Sequence, residues 1–68
     1  MHKRTWIVKP RGRRWAVQRM DANNADSLHD TQASAIARGD DMAQRARGAL
    51  HIKGTDGRIV EKRLFSGD

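Results

Sequence analysis

Cysteine is absent from these 68 residues, so neither a disulfide nor a Cys-based zinc site can staple the chain. There is no apolar run long enough to span a bilayer. Met1–Pro10 is charged and then only briefly apolar, with no long hydrophobic segment and no small-residue cleavage site. A signal peptide is therefore not expected, and the cytoplasm is the expected location. Internal repeats and low-complexity tracts are also missing. A chain of this length makes one domain at most, and it buries only roughly 60% of its unfolded surface. With 37% apolar residues and no staple, it depends on a compact core, a partner or a second copy.

The most informative absence is local. Residues 1–19 contain no Asp and no Glu, yet they hold Lys3, Arg4, Lys9, Arg11, Arg13, Arg14 and Arg19. The rest of the chain is nearly balanced, so the whole net charge of +6 originates in this first quarter. Like charges gathered on one element repel one another, and a polyanionic partner offsets that cost.

What is present reads as short strands around one helix. Trp6, Ile7 and Val8 favour a strand ending at Pro10, and Trp15, Ala16 and Val17 a second one. Pro10-Arg11-Gly12-Arg13 between them is a turn by composition, which makes a β-hairpin with a basic tip. Alternation groups Trp6 with Val8 and Trp15 with Val17 as the buried faces, and turns Thr5, Ile7, Lys9, Arg14, Ala16 and Gln18 outward. Asp21–Asp26 is a loop, and Ser27–Asp30 a short third strand around Leu28. Thr31 is a helix N-cap, beside Asp30 at the positive end of the dipole. Ala35, Ile36, Gly39, Met42, Ala43 and Ala46 form a narrow stripe at helical spacing, and Gly48 is the expected stop. Leu50 and Ile52 then point inward from a strand, Gly54-Thr55-Asp56-Gly57 turns the chain, and Arg58–Leu64 returns with Ile59, Val60 and Leu64 as its apolar members. The expectation is one α+β domain over 1–68: a small antiparallel sheet in the order β-β-(β)-α-β-β with one amphipathic helix on one face. Its parts are a basic hairpin over 4–20, a helix over 32–47 and a second hairpin over 49–64. One helix covers one face, so the other must meet water or a partner.

Trp6-x-Val8-x-Pro10, Trp15-Ala16-Val17, Asp30-Thr31-Gln32-Ala33-Ser34-Ala35-Ile36 and His51-x-x-Gly54-x-Asp56-Gly57-Arg58-Ile59-x-Glu61-Lys62, in that order and spacing, resemble a family of short bacterial and phage proteins catalogued as domain of unknown function 2188. The resemblance runs from Trp6 to Gly67 and implies a small sheet-plus-helix fold. It brings no activity and no catalytic residue. The family's turn before the second Trp is usually short and contains Gly or Asp; here it is Arg11-Gly12-Arg13-Arg14, so the resemblance does not account for the basic tip.

The candidate nucleic-acid-binding residues are Lys3, Arg4, Lys9, Arg11, Arg13, Arg14 and Arg19. Guanidinium groups pair with phosphate oxygens and shed water easily, and a two-stranded ribbon fits a DNA major groove. The plain alternative is a solvated surface that binds nothing. Trp6 and Trp15 are base-stacking platforms on one reading and core residues on the better one. Ile7 on the open face hints at a contact surface, including a homodimer interface. His2, His29 and His51 lack metal-ligand spacing, and His29-Asp30 make a poor catalytic pair. Asp40 and Asp41 belong to a solvated ion-pair face with Arg38 and Arg45. Ser27 and Ser66 have no apparent base partner, and Gly54–Gly57 is no phosphate loop. No enzyme, metal or cofactor is expected. The expected function is a small basic module that contacts the phosphates of DNA or RNA with weak sequence specificity. The alternative is an interaction module, such as a phage-type modulator, that docks its hairpin on an acidic protein surface.

Overall fold

The computed structural model describes residues 4–65. Five strands and one helix follow in the order β1 (Thr5–Arg11), β2 (Arg14–Arg19), β3 (Ser27–His29), α1 (Gln32–Ala46), β4 (Ala49–Lys53) and β5 (Ile59–Leu64). The strands form one sheet in the spatial order β3-β2-β1-β4-β5. The α+β class, the short third strand and the single helix are as the sequence reading has them.

The expected all-antiparallel sheet is corrected at its centre. β1 pairs with β4 in parallel, from Thr5 opposite Ala49 to Val8 opposite Ile52, so the sheet is mixed. The reason is the path of the chain. Two antiparallel turns bring β3 back to the direction of β1. The helix is the crossover that a parallel return requires, and it delivers β4 in that same direction. The β1–β2 turn and the β4–β5 turn therefore project from the same end of the sheet.

The first hairpin is tighter than composition suggests. Pro10 and Arg11 belong to β1, opposite Trp15 and Arg14, and only Gly12 and Arg13 make the turn. Gly12 has φ +62 and Arg13 has no positive φ, the pattern of a type II′ hairpin turn. Pro10 is tolerated inside the strand because ladder alternation turns its nitrogen away from β2, toward the side where β4 has already ended.

Alternation buries Trp6, Val8 and Val17 on one face of the hairpin and Leu50 and Ile52 on the same face of β4. Burying each large aliphatic among them contributes about 1.5–3 kcal/mol. The helix lays Ala35, Gly39 and Ala43 over this face, with Ile36, Met42 and Ala46 packed beside them. Small residues allow a close approach: a Cβ on Gly39 would come 2.7 Å from Leu50 Cδ1. Thr31 caps the helix as expected, accepting from the Ser34 amide at 3.1 Å.

At the other end the expectation needs correction. The helix stops at Ala46 rather than at residue 47, and Arg47, not Gly48, takes the left-handed conformation, with φ 53. Gly48 is required for space instead, because a Cβ there would sit 2.0 Å from the Arg4 carbonyl oxygen. Ile59, Val60 and Leu64, the apolar members of the returning strand, are exposed, because α1 packs on β1, β2, β3 and β4 and does not extend over β5.

Candidate nucleic-acid interface

The hairpin that carries the positive charge is an ordered element, anchored through Trp6, Val8 and Val17. The Trp6 indole is 4% exposed and donates to Asp26 Oδ2 at 3.1 Å, so it is a core residue and presents no face for stacking a base. Trp15 is half-buried against the same core.

The seven cations of the sequence reading do not form one cluster. Lys3 lies outside the described residues. Arg11, Arg13 and Arg14 are exposed together at the tip. Arg4 precedes β1 at its other end, about 23 Å away at the usual rise of a strand. Arg4 and Arg19 also share the helix-side parity of Trp6, whereas Lys9, Arg11 and Arg14 face the open side. Arg19 is engaged, with its Nε 2.9 Å from Asp21 Oδ1. That hydrogen bond holds the Asp21 carboxyl below its ordinary 3.8. Arg14 has a looser partner, Asp30 at 3.6 Å, and both side chains are well exposed, so the pair is weak. Among the described residues, no carboxylate lies within ion-pair distance of Lys9, Arg11 or Arg13.

The open face of the sheet adds groups beyond the candidate binding residues, among them His51 and Lys53, which alternation turns outward. By register, Lys9 faces Ala16 on one side, and Lys53 is the next β4 position beyond the Val8–Ile52 pair on the other. His51 lies opposite Ile7 and Lys62. Glu61, the single carboxylate within any of the five strands, has the opposite parity. Its Oε2 accepts from Arg63 at 2.6 Å, which holds its carboxyl below the ordinary 4.5. Ala16 is on the open face as expected and yet has no exposed area, since it is a small side chain between the longer Lys9 and Leu28. Ile7 on the same face is half-buried.

Three other expectations meet their partners. Asp41 pairs with Arg45 at 3.2 Å as part of a solvated face. Asp40 instead reaches across to Arg63 of β5. Ser27 does have a base partner, contrary to the sequence reading: its Oγ is 2.8 Å from His29 Nε2. The other ring nitrogen is 2.8 Å from Ser34 Oγ, and Ser34 is the residue whose amide Thr31 caps. This hydroxyl–imidazole–hydroxyl chain ties β3 to the first turn of the helix. Ser27 and His29 share a face of the strand by alternation, the signal by which sequence reasoning could have found the pair; Ser34 of the helix completes it.

A shallow cavity of about 320 Å³ on the helix side is lined by Arg4, Trp6, Arg38 and Met42, among others. Among the described residues, no three His, Asp or Glu groups are placed to hold a metal ion. No described helix is long and apolar enough to cross a membrane.

A mixed five-stranded sheet, one helix on one side and a basic hairpin reaching onto the other define a small α+β protein with an open cationic sheet face. The chain belongs to the family described as uncharacterized protein conserved in bacteria (DUF2188), whose model matches residues 5–65. No curated protein and no solved structure matches it.

Proposed function

We propose that this protein binds nucleic acid through phosphate contacts made by the tip of its first hairpin, with little sequence preference. The observation that carries the reading is the turn itself. Arg11, Arg13 and Arg14 are exposed around a two-residue turn, with one loose carboxylate partner among them. A strand end fixes the backbone that carries these side chains, so less backbone freedom is lost on binding than from a basic tail. Arg11 and Arg14 face each other across the ladder, which is unfavourable without an anion nearby. Lys9 extends the same field along the open face, whereas Arg4 and Arg19 add only distant charge.

The test is fluorescence anisotropy with labelled single-stranded and duplex oligonucleotides at several salt concentrations. The wild type is expected to bind at low salt, with log K falling linearly in log salt. Replacing Arg11, Arg13 and Arg14 together by Gln should reduce that slope by about 2.7 on duplex DNA, at roughly 0.9 per phosphate contact. Absence of binding at low salt rejects the proposal, and so does an unchanged slope in the triple variant. A partner that survives nuclease treatment in a pull-down would favour an acidic protein surface.

A further inference from the structure

The tip accounts for one edge of the positive surface, but the sheet carries more. Lys53 of β4 and Lys62 of β5 come from the half of the chain with no net positive charge, and the parallel β1–β4 pairing brings them to the open face beside Lys9. Neighbouring strands lie about 4.8 Å apart, so Lys9 and Lys53 are adjacent cations and Lys62 is one strand further, roughly 10 Å from Lys9 across the sheet. Arg11 and Arg14 continue the band to the tip. No strand carboxylate shares this face, since Glu61 points to the helix side and is held by Arg63. Cations side by side across a ladder are mutually destabilising, and nothing within the sheet offsets them.

We infer that the open sheet face is the second half of the binding surface and that its occupant is the phosphate backbone of duplex DNA, with Lys9, Lys53 and Lys62 set along one edge of a groove entered by the arginine tip. This rests on the proposed function and names its ligand. Charge excludes a second copy stacked face to face, because like would meet like. Single strands are disfavoured because this face has no aromatic side chain on which bases could stack: both Trp residues have the other parity. Duplex RNA is disfavoured because its major groove is too deep and narrow for a ribbon tip. Lys53 and Lys62 lie one and two strands to the side of β1, roughly 5 and 10 Å away, which carries positive charge from a tip inside the roughly 12 Å wide B-DNA major groove out to the phosphates of one edge.

The experiment compares wild type, the double variant Lys53→Gln/Lys62→Gln and a control, Arg38→Gln/Arg45→Gln, on the helix side. Each is titrated with duplex DNA of about 20 base pairs, the matching single strand and the matching duplex RNA, after melting curves show that all three proteins are folded. The lysine variant should lower the salt slope on duplex DNA by about 1.8, and the control should leave it unchanged. Duplex DNA should bind most tightly. An unchanged slope in the lysine variant, an equal loss in the control, or tighter binding of either other ligand overturns the inference while leaving the hairpin proposal standing. If the wild type binds none of the three, the proposed function itself fails, and the inference falls with it.

Discussion

Gly48 and Arg47 sit side by side at the end of the helix and need opposite things. Gly48 packs against the Arg4 carbonyl, which accepts the Ala49 amide at 2.8 Å, and a Cβ would come 2.0 Å from that oxygen. Backbone cannot rotate away as a side chain can. Gly48→Ala is therefore expected to cost about 3 kcal/mol, at the upper end of overpacking effects, with a correspondingly lower urea midpoint. Arg47 is a non-glycine residue at φ 53, a conformation that costs a side-chain-bearing residue about 1–2 kcal/mol. Arg47→Gly removes that strain and gives back part of it as unfolded-chain entropy, for a net gain of about 0.5 kcal/mol in the same measurement. A change in the opposite direction would show that Arg47 makes a contact that outweighs its backbone strain. The helix stop was legible in the sequence only as the pair Arg47-Gly48; which of the two turns left-handed depends on the strand that packs against them.

At the scale of elements, β5 is the exposed edge and is tied to the helix through charge. Arg63 donates to Glu61 on its own strand and to Asp40 of α1, and both bonds raise its pKa above its ordinary value. Glu61 titrates in the folded chain below its ordinary 4.5. A carboxyl with a depressed folded pKa contributes stability that is complete above the unfolded value and is lost as pH falls through the folded one. Urea midpoints measured from neutral pH down to about pH 3 should therefore fall at the acid end, and Glu61→Gln should flatten that limb. An identical acid limb in the variant would exclude Glu61 as a contributor. The first hairpin has its own element-scale test. Gly12 has open space around it but a φ of +62, so Gly12→Ala is expected to destabilise through backbone strain alone, by about 1 kcal/mol, and to weaken oligonucleotide binding by loosening the tip. Stability unchanged by Gly12→Ala would mean that the turn adopts another geometry.

Across the whole molecule, one 15-residue helix cannot cover five strands. The result is an open face and an outer edge, where Val60 and Leu64 are each 65% exposed. Such an edge invites pairing with another chain, and charged residues are the usual protection. Lys62 and Arg63 occupy it here. The wild type is expected to sediment as a monomer at high micromolar concentration, and Lys62→Val to add a concentration-dependent dimer. A wild-type dimer at those concentrations would mean that the lysine does not guard the edge.

The sequence by itself determined the local choices. Period-two alternation chose Trp6, Val8, Val17, Leu50 and Ile52 for the core, helical spacing chose Ala35, Gly39 and Ala43, and a charge imbalance marked the first hairpin. These signals are readable because each depends on residues a few positions apart. The two hairpins were local as well, and only the tertiary structure decided how they join, with β1 beside β4. Alternation says which way a side chain points and nothing about what lies alongside, and the parallel pairing of β1 with β4 joins segments more than 40 residues apart. That one pairing brings Lys53 next to Lys9, with Lys62 one strand further, and turns a basic hairpin into one side of a broader cationic face.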